Sequence, residues 1–318
     1  MSAEPAVLID RVSHRYGDRE ALQAVSFQVG SGEIFALLGP NGGGKTTLFR
    51  ILSTSFAPTG GRAAVFGYDV VSQAAQVRRQ MGVVFQAPSL DKKLSAAENL
   101  WHHGHLYGLR GQSLRQQMNE MLARVGLSDR ARDSVEKLSG GMQRRVEVAK
   151  GLLHHPRLLL MDEPSTGLDP GARRDLWEYL KQARERDGLT ILLTTHLMDE
   201  AEQCDRVAIL NRGALVALGN PRELADTVGD EVVSLECSSP QQLAEQVRSR
   251  MNLNCSVLEN TIRIERERGH ELVAQLFEIF PGEIQAVTVR RPTLEDVFIQ
   301  KTGHRFWEED DGNLKSQI

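Results

Sequence analysis

Three short stretches of this 318-residue chain carry residues whose types and spacing can do chemistry on phosphates. GPNGGGKTT, Gly39 to Thr47, satisfies G-x-x-x-x-G-K-[ST] between the apolar run IFALL and the helical pattern LFRILS. That strand-loop-helix setting is what gives the pattern meaning. Gly39, Gly42, Gly43 and Gly44, with Pro40 and Asn41 completing the loop, leave backbone N–H groups free to wrap phosphate oxygens. Lys45 offers a positive charge to the β/γ-phosphates, Thr46 a hydroxyl to Mg²⁺, and Thr47 a contact to the α-phosphate. In RLLLMDEP, an apolar strand delivers Asp162 and Glu163 at its C-terminal edge, where ligands sit in open α/β sheets. Asp162 is then the carboxylate that organises Mg²⁺, and Glu163 the candidate general base that polarises the attacking water. The third stretch, LSGGM, Leu138 to Met142, opens the helical pattern QRRVEVAKGLL with a serine and two glycines. A helix N-terminus of this kind attracts an anion, so the chain carries a second anion-binding end besides its first.

These residues need a scaffold, and the first 220 or so residues supply its pattern. ALQAVSFQVG, EIFALLG, MGVVFQ, RLLLMDE, LTILLTTH and RVAILNRGALVALG are short apolar runs separated by longer amphipathic segments. That alternation predicts a largely parallel sheet covered by helices. From about Ser95 to Leu153 the rhythm breaks into helical patterns (SAAENLWHHGHLYGL, SLRQQMNEMLARVGL, GGMQRRVEVAKGLL), which predicts an inserted helical subdomain at about 88–153. Beyond a polar hinge at GDE the character changes again, and strand-like and helix-like segments predict a small β-α-β-β-α-β domain over 229–302. Its clearest period-two signal is Ile262 and Ile264, flanked by charges. In RRPTLEDVF, Thr293 reads as a helix cap, with Glu295 or Asp296 in the first turn. Residues 303–318 read as a polar, acidic, flexible tail.

Composition sets bounds on function. Hydrophobic residues at 41%, charged residues at 25% and a net charge of −4 describe a globular protein without the basic signature of a nucleic-acid binder. No stretch approaches the ~18 to 20 apolar residues of a membrane span, so if this chain works at a membrane, another chain does the spanning. Cys204, Cys237 and Cys255 lack metal-ligand or redox spacing, which predicts neither disulfide nor zinc.

Taken together, these residues resemble the nucleotide-binding subunits of ATP-binding cassette (ABC) transporters, over about residues 5 to 225. The resemblance implies an α/β P-loop NTPase cassette, residues 5–228, with the helical insertion and a small α+β C-terminal domain behind it. LSGGM looks like the family's signature motif, which implies that Ser139, Gly140 and Gly141 close over ATP held by a second copy or a paralogue in a head-to-tail dimer. The same resemblance implies that Tyr16 stacks on adenine, that Gln86 touches Mg²⁺ and the water, that Asp169 in STGLD crosses the dimer seam, and that His196 contacts the γ-phosphate. Gly43 departs from the pattern, since the family more often has alanine or serine there, and implies at most a looser loop.

APSLDKKLSAAENLWHHGHLYGL after Gln86, and RRPTLEDVFIQKTG from Arg290 to Gly303, are similar to the ABC-2-type exporter branch that includes drug-resistance and nodulation-factor export ATPases. The branch implies ATP and Mg²⁺ as ligands, an integral-membrane permease as partner, and a place on the cytoplasmic face of the inner membrane. The rival reading is an ABC ATPase acting on ribosomes or DNA. Such proteins usually carry two cassettes or a long coiled-coil insertion, whereas this chain has one phosphate loop and no heptad run. A module that binds ATP without turning it over is disfavoured by the Asp162-Glu163 pair.

Overall fold

The computed structural model describes residues 4–229, 231–258, 260–266 and 268–306, and the chain divides into two compact units, Met1–Leu215 and Val216–Ile318. The first unit runs β1 (Val7–Tyr16), β2 (Arg19–Val29), β3 (Ile34–Leu38), α1 (Lys45–Leu52), β4 (Gly60–Val65), β5 (Tyr68–Asp69), α2 (Ala74–Gln80) and β6 (Met81–Val84). It continues through α3 (Ala96–Leu106), α4 (Gly111–Arg124), α5 (Gly140–Leu152), β7 (Leu158–Asp162), α6 (Pro170–Asp187), β8 (Thr190–Thr195), α7 (Met198–Ala201) and β9 (Arg206–Asn211). The division falls within β10 (Ala214–Gly219).

Every residue of β3, β7 and β8 is buried, as expected of strands covered on both faces. These strands pair in parallel, with order β9-β3-β8-β7-β6, so the C-terminal ends of β3, β7 and β8 open on one edge. An antiparallel sheet, β2-β1-β4-β5, completes the α/β core. Between β6 and β7 the chain is helical, and α3, α4 and α5 pack on one another, with Leu100, Leu114, Met121 and Leu122 buried. Local chemistry fixes where these helices start. Ser95 and Glu98 form a reciprocal capping box on α3, and Asp169 caps α6 ahead of Pro170 at its first position.

The second unit carries α8 (Pro221–Asp226), β11 (Glu231–Cys237), α9 (Pro240–Met251), β12 (Ser256–Leu258), β13 (Thr261–Arg266), α10 (Gly269–Ile279), β14 (Ile284–Arg290) and α11 (Leu294–Thr302). Its β-α-β-β-α-β order forms an antiparallel sheet, β12-β13-β11-β14. Ile262 and Ile264 point into a core with Val233, Leu235, Val247, Leu272, Leu276 and Phe280. Thr293 and Asp296 form the capping box of α11. The division lies upstream of the GDE hinge because α8 packs against α11 and so belongs with the C-terminal unit. Of the stretch expected to be a flexible tail, residues 307–318 lie outside the described residues, whereas Phe306 is buried edge-on against Phe298. The aromatic pair holds 303–306 against α11, a contact that a polar composition does not announce.

Candidate nucleotide site

Where β3 ends, the chain turns through Gly39–Gly44 into α1, whose N-terminus has neither a side-chain cap nor an acidic residue in its first turn. The first N–H groups of α1 lack intrahelical partners, as at any helix start, and no side chain of the loop occupies them, which leaves them open to an anion. Lys45 is 4% exposed and donates from Nζ to the carbonyls of Gly39 at 2.6 Å and Pro40 at 3.0 Å. Burial lowers its pKa, while Glu163 and Asp162 act in the opposite direction. Thr46 and Thr47 both line the cleft, Thr46 exposed and Thr47 buried.

Gly43 is held on both sides of its backbone. Its N–H donates to Pro40 O at 3.1 Å and its carbonyl accepts from Gly213 N–H at 3.0 Å. A Cβ added at Gly43 would lie 3.0 Å from Pro40 O and 3.1 Å from Leu210 O, so the backbone here is closely packed on both sides.

The end of β7 supplies the acids. Asp162 is buried, and its Oδ1 accepts from Thr194 Oγ1 at 2.5 Å. Burial pushes its carboxyl pKa up, more than the Thr194 hydrogen bond and the positive charges of Lys45 and Arg50 draw it down. Glu163 follows with φ of +43°, a left-handed conformation that costs a non-glycine residue ~1 to 3 kcal/mol and persists only where neighbours enforce it. Its N–H donates to Thr194, to the carbonyl at 3.2 Å and to Oγ1 at 3.0 Å. Its Oε2 is the meeting point of the site: Gln86 Nε2 lies at 3.1 Å, Thr166 Oγ1 at 3.2 Å and His196 Nδ1 at 3.2 Å.

Lys45, Thr46, Thr47, Gln86, Glu163 and His196 thus line one cleft of about 550 Å³, together with Asn41, Gly42, Gly43 and Gly44. Tyr16 stands at the same cleft, exposed, its ring edge-on to His14 at 4.7 Å and to Phe56 at 6.1 Å. Gly39, Pro40 and Asp162 lie behind the lining, engaged with Lys45 and Thr194.

Ser139, Gly140, Gly141 and Asp169 are not among the residues lining this cleft. Ser139 caps α5, accepting from Met142 N–H at 3.3 Å, and Asp169 caps α6, accepting from the N–H groups of Gly171 at 2.9 Å and Ala172 at 3.0 Å. The two helix starts adjoin so closely that a Cβ at Gly141 would meet Ala172 Cβ at 2.6 Å. The cleft and this glycine-started helix end are therefore separate features of one chain.

Sequence reading did not single out Thr194, Thr166, Glu200 or Arg144. Thr194 binds both acids. Glu200, 1% exposed, accepts from Thr195 Oγ1 at 2.6 Å and from Ser165 Oγ, tying the STGLD loop to the strand end that carries His196. The available signal was polarity inside an apolar run: TILLTT places its threonines at the end of a buried strand, where hydroxyls need a partner.

A family model described as "ABC transporter" matches residues 22–166. The daunorubicin resistance ATP-binding protein DrrA3 of Streptomyces coeruleorubidus is 36% identical over 95% of this chain and 97% of its own length. The Nod factor export ATP-binding protein I of Rhizobium etli is 37% identical over 94% and 93%. The linearmycin resistance ATP-binding protein LnrL of Bacillus subtilis is 34% identical over 92% and 97%. Among solved structures, an ATP binding subunit of an ABC transporter superposes with a TM-score of 0.63 at 30% identity, covering 70% of this chain and 92% of that one. The cbiO1 protein of Clostridium perfringens, part of the ABC transporter complex cbiONQ, superposes with a TM-score of 0.66 at 26% identity over 78% and 96%.

Proposed function

The chain belongs to the ABC transporter family as an ATP-binding, ATP-hydrolysing subunit, and from that premise we propose that it drives a separate membrane permease of the export type. The observation that carries the chemistry is the convergence of Gln86, Thr166 and His196 on the Glu163 carboxylate in the cleft that also holds Lys45 and the glycine-rich loop.

In this reading the loop N–H groups and Lys45 hold the phosphates, and Lys45 exchanges its carbonyl partners Gly39 and Pro40 for β/γ-phosphate oxygens. Tyr16 offers its exposed ring to the adenine. Water attacks the γ-phosphorus in line, its proton passes toward Glu163, the bond to the β,γ-bridging oxygen breaks, and ADP and phosphate leave. Gln86 and His196 orient the water and the γ-phosphate from either side of that carboxylate. Asp162, buried yet placed where burial alone disfavours its charge, fits a cation as its partner. Asp162, Thr46 and Gln86 would hold Mg²⁺, which when bound neutralises charge developing on the phosphate oxygens.

Ser139, Gly140, Gly141 and Asp169 act across a head-to-tail dimer of this chain with itself or a paralogue, which gives the second anion-attracting helix end a use that its own cleft does not. The export assignment rests on the relatives, two resistance proteins and a Nod factor exporter subunit. No helix among the described residues is long and apolar enough to cross a membrane. In this reading a separate permease supplies the span, and the chain works on the cytoplasmic face of the inner membrane.

Purification of the tagged chain from gently solubilised native membranes tests this. A stoichiometric polytopic permease is the expected companion; ribosomal or DNA-repair proteins in its place would overturn the transport reading and leave the ATPase chemistry standing.

A further inference from the structure

We infer that Arg144 is the positioning residue that sets Glu163 and Gln86 in place together, and that α5 moves both through it. The argument starts from a buried charge. Arg144 lies one turn into α5, is 7% exposed, and spends its donors on segments far apart in sequence. Nε donates to Pro164 O at 2.7 Å, and Nη2 to the carbonyls of Asp162 at 3.2 Å and Glu163 at 3.4 Å. Nη1 donates to Phe85 O, the carbonyl just before Gln86, at 2.8 Å, and to Glu147 Oε2 at 2.8 Å. One guanidinium therefore grips three successive carbonyls around Glu163 and the residue preceding Gln86. A planar fork of N–H donors suits this, and a single ammonium does not.

The rest of that helix face continues the grip. Arg144, Glu147 and Lys150 stand at i, i+3 and i+6, on one side of α5. Glu147 Oε1 accepts from Ser89 N–H at 2.7 Å, and Lys150 Nζ donates to Ser89 O at 2.8 Å and Oγ at 2.6 Å. Asn99 of α3 then holds Asp91, accepting from its N–H at 2.9 Å and donating to its carbonyl at 3.0 Å. Residues 85–91 are thus fastened to the helical segment, and Arg144 alone of this row also reaches β7.

The strained backbone at Glu163 gives the contact its purpose. A φ of +43° holds only if the surroundings over-determine it: Thr194 binds the Glu163 N–H, the Thr166 N–H donates to the Glu163 carbonyl at 3.3 Å, and Arg144 adds to that bond the grip on the carbonyls to either side. A rigid shift of α5 therefore re-aims Glu163 and Gln86 in one motion, without displacing the glycine-rich loop, to which Arg144 has no hydrogen bond.

The inference rests on the reading of Glu163 as base and Gln86 as its partner, and the experiment separates the two. In the full chain, Arg144→Met, Arg144→Lys and Glu147→Gln are compared with Glu163→Gln for kcat, KM for Mg-ATP, nucleotide affinity by equilibrium titration, and amide hydrogen exchange. Arg144→Met is expected to lower kcat about 10²-fold, the scale of a misplaced catalytic group, with nucleotide affinity held within about two-fold. Arg144→Lys recovers part of the loss. Exchange should quicken in 85–91 and 163–168 together, and stay unchanged in 39–47. Glu147→Gln, which keeps an acceptor for Ser89 but puts a donor against Nη1, should show the same paired exchange pattern with about a tenfold loss. Normal kcat in both Arg144 variants beside an inactive Glu163→Gln would overturn the inference alone, as would exchange rising throughout the first unit with nucleotide affinity lost. An active Glu163→Gln would instead overturn the reading on which it rests.

Discussion

Replacing Thr194 by valine removes one hydroxyl and keeps the side-chain shape, and the structure gives that hydroxyl two tasks. It donates to Asp162 Oδ1 at 2.5 Å and accepts from Glu163 N–H at 3.0 Å, at a residue with no exposed surface. A hydrogen bond to a charged group contributes ~1.5 to 3 kcal/mol, and one between neutral groups ~0.5 to 1.5 kcal/mol. The second loss counts for less, since Glu163 N–H keeps the Thr194 carbonyl at 3.2 Å. Thr194→Val should therefore cost about 2 to 3 kcal/mol, a fall in Tm of roughly 4 to 12 °C for a unit of this size. Thr194→Ser keeps the hydroxyl and gives up one methyl, about 1 kcal/mol. The same hydrogen bond draws the Asp162 pKa down against burial, so the valine variant should also need more Mg²⁺ for half-maximal turnover. Calorimetry of the three proteins, with a Mg²⁺ titration of ATPase rate, makes the comparison. Valine and serine variants within about 0.5 kcal/mol of each other would refute the assignment of that hydroxyl to both acids.

The glycines of LSGGM should separate. Gly141→Ala puts a methyl 2.6 Å from Ala172 Cβ, a rigid neighbour, and should cost ~1 to 3 kcal/mol, whereas Gly140→Ala meets nothing within 4 Å and should leave Tm unchanged or higher by thermal melting. A pH dependence follows from Asp162 and Glu200, whose carboxyl pKa values are both pushed up first by burial. The folded state then holds protons that the unfolded chain has released, so their contribution is full below the ordinary carboxylate range and is lost as pH rises through the raised folded values. Asp162→Asn should accordingly raise the nucleotide-free Tm above that window and not below it; equal effects at about pH 4 and about pH 8 would contradict the sign.

Much of this was legible because parallel strands buried on both faces write themselves as unbroken apolar runs. IFALL, RLLLMDE and LTILLTTH delivered Lys45, Asp162, Glu163 and His196 to one edge, where the cleft lies. The C-terminal unit was legible through its alternation at Ile262 and Ile264, both of which reach the core. Thr194 was hidden because a threonine in an apolar run reads as a strand former, whatever its hydroxyl binds. Arg144, Glu147 and Lys150 were hidden for the opposite reason. A charged stripe at helical spacing ordinarily faces water, and this one is buried only because the carbonyls of residues 85, 89 and 162–164 stand in for solvent. Such partners belong to distant segments, and no local pattern records them.

The most direct test of the central claim is the turnover of Glu163→Gln under saturating Mg-ATP, measured beside its nucleotide affinity. The account predicts a loss of roughly 10²- to 10⁴-fold in hydrolysis with ATP binding retained, since the amide keeps the hydrogen-bonding shape at Gln86, Thr166 and His196 and cannot take the proton. Hydrolysis at the unsubstituted rate would contradict it and return the proton-accepting role to another group in the cleft.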